Sequence, residues 1–387
     1  MSYNKIKILV IHNRYQSNNI GGEDVVYENE LLSLREELGF ENVYCYEVSN
    51  DNINKLSLLF NIWFSLKHFN NIKRMVNHNN IDLVHIHNFY PILTPSIFKA
   101  SKEAGAKVVH TLHNYRLWCI SGIFYRDGHG ICELCIKKKF PIHGILNKCY
   151  RDSLIQSVLA QFSFWFYRST KAFDSIDYFF VLTNFQKDKI RSLGIAKDKI
   201  ILKPNGLGSM PSTIETKDGY IYVGRLEESK GICELLRVWK KLPQKFSITI
   251  IGGGKLERDL KEKYQSLNII FKGKCSRLET LECISKSKYL IQPSIWYETF
   301  GLTMIEAMGL GTPVIGFDIG TRSDFIEDKI NGFLCNPDTL EEVVKKSFDY
   351  GNYNSLRENS FLKAKAFENN YVAKKQIEIY RDIINEL

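Results

Sequence analysis

The sequence predicts two Rossmann-like α/β domains, each a parallel sheet flanked by helices. Three observations predict this. The 387-residue chain is longer than one usual core supports. Short apolar runs of strand length alternate with longer segments of helical spacing throughout. The charge also divides: residues 1–203 carry 26 basic and 18 acidic side chains, residues 204–387 carry 26 and 25, and all nine histidines lie at or before His143. The two halves therefore do different work, and the basic half suits an anionic partner.

No apolar run approaches the ~20 residues that cross a bilayer. Ile6–Ile11 is too short for a signal peptide and leads into polar residues. Nine cysteines without an export signal favour a reducing cytoplasm over a disulfide framework.

In chain order, Lys7–Ile11 is a buried strand followed by a polar loop with Gly21, Gly22 and Glu23. A helix from about Asp24 to Leu38 follows, with Val25, Val26, Leu31, Leu32 and Leu38 on roughly helical spacing. The strand, glycine loop and helix look like a dinucleotide site without the G-x-G-x-x-G spacing, and a tight turn explains the glycines equally well. Residues 56–78 mix large apolar groups with Lys67, His68, Lys73 and Arg74, as one or two basic amphipathic helices do. The strand Asp82–His87 puts His85 and His87 on one face, as packing or support. The strand Lys107–Thr111 delivers His113 and Arg116 to its carboxyl end, where doubly wound sheets bind ligands, so His113 is the candidate active-site histidine.

Between 116 and 151 lie Cys119, Cys132, Cys135 and Cys149, with Lys137–Lys139 and Arg151 nearby. A C-x-x-C pair flanked by single cysteines supplies four thiolates for a structural zinc, with His129 and His143 as substitutes; reduced packing cysteines are the alternative. Asp152–Phe173 reads as a helix whose apolar face belongs to a core rather than a membrane interface. Tyr178–Leu182 is a strand and Asn184–Leu193 a helix. The strand Ile200–Lys203 ends at Pro204-Asn205-Gly206, which with Gly208–Asp218 forms the interdomain linker.

The second half restarts with the strand Tyr220–Val223, then Gly224-Arg225 through Lys230-Gly231, and a helix Ile232–Lys240. Two cations at that junction suit a diphosphate and offset its charge as a bond breaks. Ser247–Ile251, Gly252–Gly254 and a helix through Tyr264 follow, then Ile269–Phe271 and a helix Thr280–Ser287. Tyr289–Ile291 is a buried strand, a helix is expected from Thr299 to Met308, and Pro313–Phe317 is another strand. This unit sets a helix N-terminus at the carboxyl end of a parallel strand, a seat for phosphate. Glu298 precedes that helix and Glu306 lies within it, too far apart to share one small site. From about Ala366 the chain ends in a helix with no strand after it.

Val223-Gly224-Arg225-Leu226 with Lys230-Gly231, Pro293-Ser294, Glu298-Thr299-Phe300-Gly301-Leu302, Glu306-Ala307 and Gly311-Thr312-Pro313-Val314-Ile315 together resemble glycosyltransferase family 4 of the GT-B fold. Gly21-Gly22-Glu23, His113 and Pro204-Asn205-Gly206 are similar to that family's N-terminal and hinge features. Leu112–Leu117 and the following cysteines look like a bacterial subgroup that builds surface polysaccharides. One departure is Gly320-Thr321-Arg322, where the family often has a second glycine.

The resemblance implies an acceptor-side domain 1–203, a nucleotide-sugar domain 204–365 and a helix 366–387 returning to the first domain, with the ligand in the cleft between. It implies a retaining transfer from a nucleotide sugar, UDP- or GDP-linked, with no cofactor needed for catalysis. Arg225 and Lys230 would grip the diphosphate, and Gly224 and Asn205 would line the donor site. The amides of Thr299, Phe300, Gly301 and Leu302 would bind phosphate and sugar hydroxyls. Glu298 would approach the transferred sugar, and Glu306 would accept both ribose hydroxyls. His113 would sit near the sugar, Gly21 and Gly22 would let the backbone approach the diphosphate, and Glu23 and Arg116 would lie on the acceptor side. The acceptor would be a growing glycan, lipid-diphosphate-linked, met by the basic half at an anionic membrane face from the cytoplasm. Two rivals are a GT-B nucleotide-sugar epimerase and a nucleic-acid binder using the cysteine segment and its lysines. The near-neutral second half argues against nucleic acid.

Overall fold

A computed structural model describes residues 6–16, 21–53, 55–211 and 217–386. The chain divides into two compact units, neither continuous in sequence. The first comprises residues 1–123, 133–208 and 369–387, the second residues 124–132 and 209–368.

The first unit holds β1 (Ile8–Arg14), β2 (Val43–Ser49), β3 (Leu83–Asn88) and β4 (Lys107–Thr111). The short antiparallel hairpin β5 (Tyr125–Arg126) and β6 (Gly130–Ile131) belongs to the second unit. The chain then returns to the first unit for β7 (Tyr178–Val181) and β8 (Ile200–Leu202). The sheet is wholly parallel in the order β2-β1-β3-β4-β7-β8. Ile8, Leu9, Val10 and Ile11 are buried on both faces, which is why β1 reads as a continuous β-branched run rather than an alternation. The helices Gly22–Leu38 and Asn369–Asn385 cover one face, where Leu31, Leu34, Ile377, Tyr380 and Ile383 join the core with Val10 and Phe180. Burying each large apolar side chain contributes about 1.5–3 kcal/mol.

The second unit is built on β9 (Tyr220–Val223), β10 (Ile248–Ile251), β11 (Ile269–Gly273), β12 (Tyr289–Gln292), β13 (Val314–Phe317) and β14 (Gly332–Cys335). Its order is β11-β10-β9-β12-β13-β14, all parallel. Strand order reverses at β9/β12 here and at β1/β3 in the first unit. In such sheets ligands bind beyond the carboxyl ends at the reversal.

Several elements were not anticipated. β2 and the helices Ser96–Glu103, Leu340–Phe348 and Tyr353–Lys365 mix polar with apolar positions, and β14, Gly-Phe-Leu-Cys, is too short a run to stand out. The 116–151 stretch does not stay whole, because Phe124–Cys132 groups with the second unit. Part of the 208–218 linker lies outside the described residues.

Candidate active site

In the second unit the reversal brings together the loops after β9 and β12. Gly231 sits there with φ +68°, and a Cβ on it would fall 1.7 Å from the Pro293 carbonyl oxygen. Only glycine allows the two loops to meet this closely. The Ile295 amide donates to the Ser229 carbonyl at 3.0 Å and completes the seam.

The helix after β12 begins at Leu302, not at Thr299, and runs to Gly309. Gly301 is its N-cap in the left-handed region, φ 84°, which sets the boundary between the loop Glu298–Phe300 and the helix. Phe300 is buried with its ring 5.2 Å from that of Phe325 and 5.8 Å from that of Phe367, so its side chain anchors the loop. The short turn leaves Glu298 outside the helix and Glu306 inside it.

Glu298 is buried in a ring of donors. Lys230 Nζ bonds Oε1, Gln292 Nε2 donates to Oε2 at 2.9 Å, and Arg322 Nη2 lies 3.6 Å from Oε2. Burial works against its charge, yet Lys230, Arg322 and Gln292 outweigh it and hold the carboxyl at about 2. Lys230 also lies 4.8 Å from the centre of the Trp296 ring. Lys230 and Glu298, assigned separate tasks from sequence, are thus partners in this structure. Arg225 projects outward, 56% exposed, and pairs with Glu227 at 3.0 Å. Glu306 is bonded by Arg277 from a neighbouring helix, and burial pushes its carboxyl up against that pull.

Sequence reasoning missed Arg322. Its fully buried guanidinium donates to the carbonyls of Ile319 (2.7 Å) and Ser294 (3.0 Å), tying the loop after β13 to the one holding Glu298. The only signal was the departure from the expected glycine at the Gly320-Thr321-Arg322 turn.

In the first unit the loop after β1 is organised by Asp24, also missed. Its carboxylate accepts from the amides of Tyr15 (3.2 Å) and Gly21 (3.1 Å) and from His12 Nε2 (2.8 Å). An acid three residues after a helix N-cap was the available signal. Among the described residues a Cβ at Gly22 would meet nothing within 4 Å. Glu23 accepts from the Tyr15 hydroxyl at 2.9 Å. Burial raises its pKa, with His12 and Arg116 opposing. Glu23 Oε1, Arg116 Nε and Asn205 Oδ1 are buried without a hydrogen-bond partner among the described residues, as ligand-facing groups often are.

His113 stands at the end of β4, its Nε2 2.9 Å from His87 Nδ1. It lines a small cavity with His87, Asn114 and Arg116. Behind it, His87 and His85 converge on Glu30, whose other oxygen is held by Lys203. This is the one group of three metal-type side chains found together among the described residues, and its carboxylate already pairs with the Lys203 ammonium through Oε2. The expected zinc thiolates do not form a ready group within the first unit: among the described residues Cys119, Cys135 and Cys149 are not found within ligating reach of one another. Cys132 continues the hairpin into the second unit, whereas the other three belong to the first.

No described helix is long and apolar enough to cross a membrane. The helix Leu154–Ser169 buries Ala160, Phe164 and Tyr167, in keeping with the core role expected, and also turns Ile155, Val158, Phe162 and Trp165 outward, so its exposed face is apolar as well.

Comparison with known proteins agrees with this geometry. Residues 30–207 match Glycosyltransferase Family 4 and residues 211–359 match Glycosyl transferases group 1. A protein of the cps region of Klebsiella pneumoniae is 24% identical over 87% of this chain and 84% of its own length. The O-antigen chain mannosyltransferase C of Escherichia coli is 26% identical over 43% of this chain, which spans only 46% of that relative. The structure of Anabaena HepE in complex with UDP-glucose superposes with a TM-score of 0.65 at 15% identity, covering 97% of this chain and all of that one. Two parallel α/β units, loops meeting at a strand-order reversal and two adjoining family matches lead to one assignment: the chain belongs to the family 4 glycosyltransferases of the GT-B fold.

Proposed function

We propose that this glycosyltransferase moves a sugar, with retained anomeric configuration, from a nucleotide sugar onto a growing surface polysaccharide. The observation that carries the reading is the buried Glu298 carboxylate, kept ionised by Lys230 and Arg322 at the carboxyl end of β12.

The second unit takes the nucleotide. Lys230 exchanges Glu298 for the diphosphate and, with Arg225, meets the negative charge that develops as the glycosidic bond breaks. The ionised Glu298 then stabilises the positive charge growing on the sugar in an oxocarbenium-like transition state. Glu306 receives the ribose hydroxyls, and the Thr299–Leu302 amides and Gly224 line the phosphate seat. In the first unit His113 addresses the sugar, Gly21, Gly22 and Asn205 the donor, and Glu23 and Arg116 the acceptor. HepE binds UDP-glucose, which supports a UDP-sugar as the first donor to test.

The cps-region and O-antigen relatives support a capsule- or O-antigen-type product. A lipid-diphosphate-linked acceptor fits the first unit's surface. Ile142, Leu146, Ile155 and Phe162 are exposed on the same 137–162 segment that carries the exposed Lys137–Lys139, Lys148 and Arg151. Exposed apolar side chains and cations on one segment suit an anionic membrane face, which the enzyme would approach from the cytoplasm.

A thermal-shift series with UDP-, GDP- and ADP-sugars tests the donor, and one nucleotide series should raise the melting temperature. NMR of the product's anomeric centre tests retention; an inverted linkage ends that claim. Vesicles containing phosphatidylglycerol should co-float the protein at low salt, and equal flotation after Lys137–Lys139 are changed to Glu would discard the membrane face.

A further inference from the structure

The residues behind His113 fix more than its position. His87 lies between two partners, with Nε2 3.1 Å from Glu30 Oε1 and Nδ1 2.9 Å from His113 Nε2. The His87 and His113 rings stack at 5.1 Å with a 19° tilt, so neither turns easily. Glu30 is itself over-determined. Lys203 Nζ bonds Oε2, and Gln376, from the C-terminal helix, donates to Oε1 at 2.6 Å. His85 Nδ1 also lies 3.1 Å from Oε1 and 2.6 Å from the Tyr380 hydroxyl. His12 and Tyr27 face His87 edge-on at 6.2 and 5.5 Å between ring centres.

An ionised carboxylate only accepts hydrogen bonds, so the His87 nitrogen facing Glu30 must carry a proton. A neutral imidazole has one N–H, so His87 Nδ1 is bare and His113 Nε2 has to be the donor to it. The reverse arrangement would set a lone pair of His87 against the charged oxygen of Glu30 in a buried site. We propose that Glu30 and His87 are positioning residues that hold His113 as its Nε2–H tautomer, making His113 Nδ1 a hydrogen-bond acceptor that selects a ligand hydroxyl over an anionic oxygen. Burial supports both neutral rings: it drives His87 down to about 3 and His113 well below its usual range, Lys203 adding to each. Lys203, with lesser help from the histidines, overcomes burial to keep Glu30 charged.

The ligand half of this inference rests on His113 contacting the transferred sugar; the tautomer half does not. Long-range ¹H–¹⁵N correlation spectra of the full-length, ligand-free protein labelled at histidine read the tautomer directly, with His113 assigned through His113→Asn. The expected result is a single Nε2–H form. It should become mixed or reversed in Glu30→Gln, whose amide can donate to His87. Because Glu30→Gln strands a buried ammonium, Glu30→Gln with Lys203→Met provides the same test in a neutral core. A native Nδ1–H form, or variant spectra that match the native one, overturns the relay. In the variants affinity for the sugar nucleotide should fall about tenfold, or ~1.4 kcal/mol, while affinity for the free nucleoside diphosphate is unchanged. A reversed tautomer with unaltered sugar-nucleotide affinity would refute the hydroxyl contact and the placing of His113 in the donor site, leaving the relay standing.

Discussion

Lys230, Glu298 and Arg322 form a triad in which one carboxylate answers two cations. If Lys230 turns to a diphosphate as proposed, Arg322 is the cation left beside Glu298 to keep it charged. Lys230→Ala should therefore lower kcat/KM at least tenfold, about 1.4 kcal/mol of transition-state stabilisation, and near-normal turnover would remove Lys230 from the chemistry. Arg322→Met should destabilise the fold on the order of 3 kcal/mol at pH 7, because it uncovers a buried charge. The pH dependence follows from the depressed pKa of Glu298, about 2 against an ordinary 4.5. Such a group adds stability that is fully present above about 4.5 and is lost as pH falls through 2, roughly 3 kcal/mol in all. In Arg322→Met the carboxyl pKa rises, so the deficit should narrow below pH 5; chemical denaturation at pH 7 and pH 4 compares the two. Lys230, Glu298 and Glu306 could be singled out from sequence because the phosphate and sugar chemistry proposed for them restricts residue types near strand ends. Asp24, Glu30 and Arg322 were not. A buried charge takes its meaning from its partner, and Glu30 finds Lys203 173 positions away.

At the scale of elements, buried parallel strands announce themselves as apolar runs, which made β1, β4, β9, β12 and β13 readable. β2 was not, since only Val43 within it is buried. The helix start at Leu302 was misplaced because nothing in Thr299 or Phe300 forbids helix; the left-handed Gly301 sets the boundary. The C-terminal helix has measurable weight. Tyr380 is fully buried in the core of the first unit and its hydroxyl meets His85. Tyr380→Ala should cost about 3–5 kcal/mol, as aromatic truncations do, and Tyr380→Phe about 1 kcal/mol. A melting series that ranks them otherwise would show the helix to be loosely held. The β5–β6 hairpin is fastened to Glu228 through the Tyr125 hydroxyl (2.9 Å) and the Gly128 amide (2.7 Å), and to Lys255 through Asp127. Glu228→Ala with Asp127→Ala should make residues 126–130 the preferred site of limited proteolysis, whereas an unchanged digest would mean the hairpin is held by other contacts.

For the whole molecule, composition was the best guide: length called for two cores, and the uneven charge separated a basic first half from a near-neutral second. What sequence order could not disclose is that Phe124–Cys132 belongs with residues 209–368 and that residues 369–387 belong with the first unit. The polypeptide therefore passes between its units four times, not once. Recombination that exchanges sugar specificities among relatives by a single crossover near residue 208 would separate Gln376 and Tyr380 from Glu30 and His85, and Tyr125 from Glu228. A chimera that inherits a foreign second unit stays intact only if it keeps its own tail and accepts the foreign hairpin. Inheritance in this architecture is interleaved, and the second unit travels as two separated pieces of gene.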